Sequence, residues 1–450
     1  MVESSTPSTN AFQAQTSAQK RAFSYSNTIH QLFTSVFQQK MPADRIVGEY
    51  FRAHKKHGSK DRRVIRESLF ALFRWWGWLK KVHTSTEQDE SWFAVLATVA
   101  ELEGHSWSQF SEAWQSFANQ SDKFNVQPST QPLVTVTDKC HFVQQNFAEV
   151  SFDTKDLLPQ WFWDVTDVSP ENELALIEAM SSRPPIWGRA QKQSTAQLLS
   201  ELQRDDITAT GSEFFTDSVN LGHKSINLNA IKPYLQGSLE IQDLGSQVIG
   251  QVCNPQASDN WWDTCSGAGG KSLQLRSLMF NQDNNGTGTI TASDIRKKPL
   301  EELLKRAKRA GFKGISVAAW KDETLPVTAN HFDGVLVDAP CSCTGTWRRN
   351  PDMRWLDDTN VVNDKHALQL DILTRSAKAV KLDGQLVYAT CSLSPVENEH
   401  VVNAFLAQHP HFALLPLQHP FTGQTTKQLT VWPQDANSDG MFVAKMRRKA

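Results

Sequence analysis

From Ile241 to the end of the chain, short apolar runs with strand character alternate with helical patterns. This alternation is typical of βαβ units built on a parallel sheet. Two of the runs lead into a cysteine-bearing stretch, Asp338–Cys341 and Ala389–Ser392. Because the carboxyl ends of parallel strands meet at one edge of the sheet, where ligands bind, we expect the two thiols and the acid to share one site.

The composition is that of a globular protein of more than one domain. Hydrophobic residues make up 39% and charged residues 21% of the 450 residues, and the formal net charge is -2. The cysteines lack a framework spacing, which favours free thiols in a reducing compartment, so we expect a cytoplasmic protein. No apolar run approaches the roughly 18 residues that span a bilayer, which argues against a membrane protein.

The chain divides into four predicted segments. Residues 1–25 are rich in Ser, Thr and Gln and lack the apolar core of a secretory signal, so they are expected to form a flexible tail. Residues 26–155 place apolar side chains at helical spacing, which predicts an all-helical domain. Residues 156–239 have a mixed pattern that indicates a small α/β adaptor, and residues 240–450 carry the βαβ pattern.

Basic residues cluster in two stretches, 52–66 and 296–313, in spite of the nearly neutral total charge. A local basic face can hold a phosphate backbone even when the whole chain is neutral, which makes RNA a candidate partner. A solvated helix face explains either stretch equally well when it is taken alone.

A turn of small residues, Cys265–Lys271, follows a short predicted strand and leads into a predicted helix. Its glycines allow the backbone to approach a ligand, and the exposed N–H groups of a helix start favour an anionic group. Asp294 ends the next predicted strand, where an acid of an α/β nucleotide site binds ribose hydroxyls. Gly270-Lys271-Ser272 resembles the end of a P-loop, but Cys265 replaces its first glycine, which favours a nucleoside cofactor over an NTPase.

The two cysteine-bearing stretches are expected to leave the sheet in different ways. Pro340 cannot donate to a strand ladder, so Asp338 and Cys341 should lie on a loop. Ser394 and Glu397 have the spacing of a capping box, which predicts a helix directly after Cys391 and a thiol pKa lowered by the helix N-terminus. A buried core cysteine is the ordinary alternative for either residue, and the repetition at two strand ends favours a functional role.

Taken together, these motifs resemble in type and order those of the Sun/Fmu-type (Nop/Sun) RNA cytosine-C5 methyltransferases. The motifs are Asp263–Lys271, Asp338–Ser342 with Thr344 and Gly345, Arg348–Asp352, Thr390–Ser392 with Glu397–Glu399, and Asp439–Phe442. The resemblance covers Ile241 to Lys445 and implies a Rossmann-like methyltransferase domain, S-adenosylmethionine as cofactor and RNA as substrate. It also implies an N-terminal helical, NusB-like RNA-binding domain, which matches more loosely around Asp61 to Arg74.

The resemblance implies a catalytic scheme for the two thiols. Carbon 5 of cytosine is a poor nucleophile, so a thiolate first adds to carbon 6 and produces an enamine that attacks the methyl sulfonium. In this family Cys391 corresponds to that nucleophile, Asp338 to the group that neutralises the ring at N3 in its protonated form, and Cys341 to a residue involved in removing the C5 proton. A DNA cytosine methyltransferase would instead attack with the Pro-Cys cysteine, here Cys341.

The same resemblance assigns the cofactor contacts. Its residues are Cys265, Ser266, Gly267, Ala268, Gly269, Gly270, Lys271, Asp294 and Asp338. Two departures from the family pattern stand out: Gly267-Ala268 replaces a proline of the first motif, and Ala318–Lys321 lacks the acid of the third strand, with Asp322 one step late. Cys343 forms a Cys-x-Cys pair with Cys341, but zinc takes four ligands and the sequence suggests no companions, so no metal is expected.

Other residues are expected to meet the RNA. Arg348 and Arg349 should contact phosphates, and Trp347 or Trp355 could stack on a base. We expect a monomer acting on small-subunit ribosomal RNA. The alternatives are a transfer RNA cytosine-C5 methyltransferase, a DNA cytosine-C5 methyltransferase, and a non-catalytic RNA-binding or ribosome-assembly factor that keeps the fold.

Overall fold

The computed structural model describes residues 14–283, 286–322 and 324–449, which fold as two compact units. A helical unit comprises the chain up to Phe162 together with Glu173–Ser181 and Asn350–Asp358. An α/β unit comprises Trp163–Asn172, Ser182–Arg349 and the residues from Thr359 onwards. None of the helices in these described ranges is long and apolar enough to cross a membrane.

The helical unit is built around buried tryptophans. Its main helices are α1 (Ser17–Gln39), α2 (Ala43–Ala53), α3 (Ser59–Leu79), α4 (Glu90–Glu103), α5 (Ser108–Ala118) and α6 (Val136–Asn146). The short α7 (Gln160–Asp164) and then α8 (Pro170–Met180) follow in the chain. Trp75, Trp78, Trp92 and Trp114 are fully buried, and large aromatic side chains of this kind supply much of the apolar area that a helical core removes from water.

Helix α1 begins earlier than the sequence predicts. Thr16 accepts the N–H of Gln19, and the Gln19 side chain accepts the N–H of Thr16, which closes a capping box. The prediction of a flexible tail over residues 1–25 is therefore wrong for residues 17–25, which are helical. Residues 1–13 of that tail lie outside the described residues.

Asn350–Asp358 belongs to the helical unit although it lies far along the chain. The guanidinium of Arg354 is fully buried and donates to the carbonyl oxygens of Arg74, Leu157 and Met180. Burial lowers the pKa of Arg354 to about 9. The backbone N–H of Ala43 donates to Asp352 at 2.7 Å, so this short segment fills hydrogen bonds that the N-terminal helices alone leave open.

Removing the Arg354 donors should destabilise the helical unit. We expect Arg354→Met to lower the free energy of unfolding by about 3 kcal/mol, because buried carbonyl oxygens lose their partners while the apolar stem is kept. Urea unfolding followed by tryptophan fluorescence measures the change. The matched control is Arg45→Met, which removes an exposed i,i+4 pair with Glu49 and should cost less than about 0.5 kcal/mol. Equal costs for the two variants would contradict this account.

A small antiparallel sheet opens the α/β unit. Its strands are β1 (Trp187–Ala190), β2 (Thr210–Gly211), β3 (Ser218–Asn220) and β4 (Leu239–Ile241), in the order β2-β3-β1-β4. Helix α9 (Thr195–Arg204), capped by Ser194, and the short α10 (Lys232–Leu235) accompany it. Leu198 and Leu202 of α9 pack with Val219 and Leu239 in one core.

The large sheet follows, with helices between its strands. The helices are α11 (Leu244–Cys253), α12 (Gly270–Gln282), α13 (Lys297–Arg309), α14 (Asn360–Ala377) and α15 (Glu399–Gln408). The strands are β5 (Asn260–Asp263), β6 (Thr289–Ala292), β7 (Ile315–Val317), β8 (Phe332–Asp338), β9 (Val380–Thr390), β10 (Phe412–Leu414), β13 (Gln428–Val431) and β14 (Met441–Arg448). Strands β11 (Leu417–Gln418) and β12 (Thr425–Thr426) form a separate hairpin.

Strand order places a switch point beside β5. The order is β10-β14-β9-β8-β5-β6-β7, with β13 beside β14. Strands β5 to β9 pair in parallel, whereas β14 pairs antiparallel with β9. The chain runs outward from β5 to β6 and β7 and then returns to β8 on the other side, which opens a crevice at the carboxyl edge. The predicted Rossmann-like α/β fold is confirmed.

Registers bring the predicted site residues to this edge. Asp263 pairs with Ala292 and with Leu336, and Asp338 pairs with Ala389. The ends of β5, β6, β8 and β9 are therefore level with one another. Each strand is followed at once by one of the predicted motifs.

Candidate active site

The glycine turn after β5 is shaped by two residues in the left-handed region. Gly267 has φ +53° and Gly269 has φ +85°, a backbone conformation that costs residues with a Cβ about 1–2 kcal/mol. A Cβ on Gly269 would also lie 2.4 Å from the Leu303 side chain, so α13 packs directly against the turn. Helix α12 then begins at Gly270, directly after the turn.

Asp294, just beyond β6, holds the turn in place. Its carboxylate accepts the N–H of Gly267 at 3.0 Å and the N–H of Arg296 at 2.8 Å, and the Arg296 guanidinium binds both of its oxygens at 3.0 Å. Burial alone would raise the pKa of Asp294, but the Arg296 hydrogen bonds outweigh it and lower the pKa. An ionised carboxylate therefore stands beside the turn.

Asp338 forms an ion pair at the end of β8. Lys271 of α12 donates to the Asp338 carboxylate at 2.7 Å. Burial alone would lower the pKa of Lys271, but attraction from Asp338 raises it, which keeps the ammonium charged. Asp263, at the end of β5, accepts a hydrogen bond from the Ser272 hydroxyl at 2.6 Å. Its complete burial raises its pKa to about 7. Lys271, which the sequence placed among the cofactor residues, is thus also the partner of the catalytic candidate Asp338.

The two predicted cysteines lie side by side. The Sγ atoms of Cys341 and Cys391 are 3.4 Å apart. Cys343 joins them, and the three sulfur atoms all lie within 4.8 Å of one another. The sequence suggested no companion for the Cys341–Cys343 pair, and the structure supplies one, because β9 delivers Cys391 to the same point.

Hydrogen bonds lock the two thiol loops together. The N–H of Gly345 donates to the carbonyl oxygen of Cys391 at 2.9 Å, and the N–H of Leu393 donates to the Thr344 hydroxyl at 2.9 Å. A Cβ on Gly345 would lie 2.2 Å from the carbonyl oxygen of Gly440, so only glycine allows this approach. The thiol separation is therefore fixed by the backbone.

Glu397 is the main link between the loops. Its carboxyl group accepts the N–H of Ser342 at 2.8 Å, the Ser392 hydroxyl at 2.5 Å and the Gln369 amide at 3.0 Å, as well as the Ser342 hydroxyl. Ser342 follows Cys341 and Ser392 follows Cys391, so one side chain positions both thiols. Burial raises the pKa of Glu397 to about 7.

The prediction of a helix directly after Cys391 is wrong. Glu397 points to the thiol loops rather than back to Ser394, and α15 begins only at Glu399. The expected lowering of the Cys391 pKa is also wrong: hydrogen bonds to Cys341 and Cys343, together with burial, raise the pKa of Cys391. Ser394 and Glu397 have the spacing of a capping box, but the Glu397 carboxyl group binds the residues that follow the two cysteines instead.

A cavity of about 520 Å³ connects the glycine turn to the thiols. Its wall contains residues from the glycine turn, the segments after the second and third strands, both thiol loops and α14: Thr264, Cys265, Ser266, Gly267, Asp294, Ile295, Arg296, Trp320, Asp322, Asp338, Ala339, Pro340, Cys341, Cys343, Leu368, Ile372, Arg375 and Cys391. The volume is typical of a small-molecule site. The predicted residues Ala268, Gly269, Gly270 and Lys271 support the turn and the Asp338 carboxylate behind this wall.

The segment after the third strand supplies both an aromatic and an acidic side chain to the wall, Trp320 and Asp322. Trp320 donates from its indole N–H to the carbonyl oxygen of Thr264 at 2.9 Å, and the Arg375 guanidinium lies 5.1 Å from its ring centre. Ile295, next to Asp294, is 80% exposed and borders the same cavity. Sequence reasoning missed Trp320, Arg375 and Glu397, because their roles depend on contacts between elements distant in the chain.

Two of the residues expected to meet RNA are buried. Trp347 is fully buried, so it cannot stack on a base. Arg348 is 2% exposed and donates to Ser182 and Asn437. Arg349 is bound by Asp243 at 3.0 Å and Asp439 at 2.8 Å. The predictions for Trp347 and Arg348 are wrong because these side chains hold the loop rather than face outward.

A glycine turn at the switch point of a Rossmann-like sheet, an acid after the second strand and a cavity of this size form the kind of site that binds a nucleoside cofactor. The family model of 16S rRNA methyltransferase RsmB/F matches residues 250–447. The chain is 30% identical over 308 residues to ribosomal RNA small subunit methyltransferase B of Cronobacter sakazakii, covering 66% of this chain and 68% of that one. The protein therefore belongs to the RsmB/F family.

Two further similarities agree with this assignment. The chain is 32% identical over 262 residues to the probable ribosomal RNA small subunit methyltransferase B of Synechocystis sp., and the match spans just over half, 56%, of either chain. The crystal structure of PH0851 superimposes with a TM-score of 0.71 at 22% identity, covering 97% of this chain and 100% of that one. This structural similarity supports the fold.

The residues present fit S-adenosylmethionine, the cofactor of this family. The turn offers backbone N–H groups and no Cβ at Gly267 or Gly270, where the Cβ position is open. An ionised acid, Asp294, stands where ribose hydroxyls need an acceptor, and the apolar side chains of Ile295 and Leu368 can flank an aromatic base.

The Glu397 link generates a prediction about pH. A buried carboxyl group with a raised pKa binds more protons in the folded than in the unfolded state, so its contribution to stability falls as pH rises from about 4.5 to about 7. Glu397→Gln keeps the shape and does not ionise. We expect the urea midpoint of Glu397→Gln to rise relative to that of the parent between pH 5 and pH 8.

Urea titrations at unit pH intervals measure this difference. The control is Glu302→Gln, an exposed change on α13, whose midpoint should follow that of the parent at every pH. A constant difference between Glu397→Gln and the parent across the range would show that Glu397 does not titrate there.

Proposed function

We propose that this protein transfers a methyl group from S-adenosylmethionine to carbon 5 of a cytosine in RNA, through a transient bond between a cysteine and carbon 6. The observation that carries the proposal is the pair of thiols, Cys341 and Cys391, 3.4 Å apart in one cavity with Asp338. A single nucleophile would serve the addition alone, whereas addition followed by proton removal needs a second group in reach.

The cofactor would be held by the glycine turn and Asp294. Cys265 to Lys271 would surround its methionine end, with Asp294 on the ribose and Trp320, Ile295 and Leu368 around the adenine. When bound there, S-adenosylmethionine supplies an electrophilic methyl group. The ion pair with Arg296 keeps Asp294 charged, and the ribose hydroxyls would take the places of the two guanidinium donors of the exposed Arg296 side chain.

Cys391 is the proposed nucleophile. The Cys391 thiol, whose pKa is raised, first releases its proton to solvent; the thiolate then adds to carbon 6, and the negative charge that develops on the ring is neutralised at N3. Lys271 donates to Asp338, so a proton can pass from the ammonium through the carboxyl group to N3. In this route the proton comes from the Lys271 ammonium, which lies 2.7 Å from the carboxylate, rather than from an Asp338 protonated beforehand.

Cys341 is the proposed base. After carbon 5 has accepted the methyl group, its proton moves to the Cys341 sulfur, the bond between carbon 6 and Cys391 breaks, and N3 returns its proton to Asp338. The 3.4 Å between the two sulfur atoms lets Cys341 reach the carbon next to the one that Cys391 holds. The loop hydrogen bonds through Glu397 and Gly345 keep this spacing during the cycle.

The proposed substrate is small-subunit ribosomal RNA. The names of the relatives from Cronobacter sakazakii and Synechocystis sp. support it. A cytosine must be unpaired or turned out of its helix before a thiol in this cavity can reach carbon 6. Bisulfite sequencing of total RNA from cells with and without the gene identifies the cytosine, and a signal confined to transfer RNA would overturn this choice.

Exchanging each thiol separately tests the mechanism. Cys391→Ser should reduce methyl transfer at least about a thousandfold, because the serine hydroxyl does not add to carbon 6. Cys341→Ser should allow addition and methylation but not release, so a covalent protein–RNA adduct should accumulate. Tritium transfer to RNA and denaturing gels measure the two effects, with Cys140→Ser in the helical unit as the control.

Each alternative has its own outcome in this experiment. Loss of the adduct in Cys341→Ser, with the adduct retained in Cys391→Ser, would reverse the assignment to that of a DNA-type enzyme. Equal residual activity in both variants would remove the two-thiol mechanism. An inactive parent that does not bind S-adenosylmethionine in calorimetry would support a non-catalytic RNA-binding factor.

Cofactor binding can be tested without RNA. We expect Asp294→Asn to weaken S-adenosylmethionine binding by about 10-fold to 100-fold. The neutral amide no longer gives the ribose hydroxyls a charged acceptor, and it accepts the Gly267 N–H less strongly. Isothermal titration calorimetry measures the affinity. Glu112→Gln, an exposed change on α5 in the helical unit, should bind like the parent, and an unchanged affinity in Asp294→Asn would place the ribose elsewhere.

A further inference from the structure

Cys343 occupies a backbone position that a residue with a side chain seldom takes. It has φ +60°, in the left-handed region, at a cost of about 1–2 kcal/mol relative to glycine. The scheme proposed above uses Cys391 and Cys341 and gives Cys343 no step. A strained conformation that persists beside a reactive group is a reason to look for a function of that side chain.

The three sulfur atoms have the spacing of metal ligands. In a tetrahedral zinc site a metal–sulfur distance of about 2.3 Å places the sulfur atoms about 3.8 Å apart. Cys341 and Cys391 are 3.4 Å apart, and all three sulfur atoms lie within 4.8 Å of one another. These values bracket the ideal separation, so an ion could be reached by small side-chain rotations.

The surroundings also suit a soft cation. All three cysteines border the cavity, which leaves the fourth coordination position open to water or a small ligand. Thiolates select d¹⁰ ions such as Zn²⁺ and Cd²⁺ over hard ions such as Mg²⁺.

We propose that Cys341, Cys343 and Cys391 form a binding site for one soft divalent d¹⁰ cation of the zinc class, with an open fourth position facing the cavity. Binding displaces the thiol protons into solvent and changes no oxidation state. The ion occupies the sulfur atoms that the methyl transfer requires. It would therefore act as a reversible inhibitor, and this consequence alone rests on the proposed function.

Cadmium titration tests the site directly. Thiolate coordination of Cd²⁺ gives a charge-transfer absorption band in the ultraviolet, which we expect to saturate at one equivalent for the reduced full-length protein. Cys343→Ser and Cys343→Gly should each weaken binding about tenfold or more, since they remove a direct ligand. Cys343→Gly also relieves the backbone strain, so its loss of binding cannot be attributed to misfolding.

Two control variants separate this site from other thiols. Cys140→Ser lies in the helical unit, and Cys265→Ser lies in the cavity wall but outside the cluster, so both should keep the parent's band and stoichiometry. No band in the parent, or a band of unchanged affinity in Cys343→Gly, would overturn the proposal.

Inhibition is measured separately, as the Zn²⁺ concentration that halves each variant's own methyl transfer. This concentration should rise about tenfold or more in Cys343→Ser, and EDTA should restore the parent's activity. A parent that binds Cd²⁺ but never methylates RNA would disprove the proposed function and leave the metal site intact. A parent that methylates RNA without any Cd²⁺ band would do the reverse.

Discussion

The site depends on the hydrogen bonds that Glu397 makes to both thiol loops. Each loop follows a different strand, so the distance between Cys341 and Cys391 would vary with every change in strand register if nothing joined them. Glu397 accepts from the residue after each cysteine, and the Gly345 N–H donates to the Cys391 carbonyl oxygen. Two thiols from separate βαβ units are therefore held as one rigid element, as the reaction proposed for adjacent ring carbons would require.

Burial destabilises the charged form of Glu397, and its four hydrogen-bond donors reduce this cost without cancelling it. A carboxylate withdrawn from water is destabilised, which is why its pKa rises to about 7. Donors from Ser342, Ser392 and Gln369 reduce that cost and direct the carboxyl group at the loops. The same pattern recurs at Asp263 and Asp439, buried acids with a pKa raised to about 7 near the carboxyl edge of the sheet. The edge is thus organised by buried carboxyl groups, each tied to loop residues.

Most of the sheet, and the convergence of the predicted site residues on one edge of it, could be predicted from the sequence. Strands ending at Asp263 and Asp338 carry local signals, an apolar run followed by a polar residue, and strand ends converge in any parallel sheet. The contacts that decide each residue's behaviour are not local. Glu397 has the spacing of a helix cap, and only the neighbouring loop reveals its real partners. Arg348 reads as a surface cation, yet Ser182 and Asn437, distant in the chain, bury it.

The membership of Asn350–Asp358 in the helical unit bears on how the chain matures during translation. Arg354 donates to carbonyl oxygens of Arg74, Leu157 and Met180, and Asp352 accepts from Ala43. A ribosome releases the N-terminal helices long before it adds these residues, at about 5–20 residues per second. Until this segment, encoded more than halfway along the message, has been synthesised, those carbonyl oxygens and the Ala43 N–H lack their hydrogen-bond partners. Complete folding of the helical unit is therefore coupled to synthesis of the strands that carry the thiols.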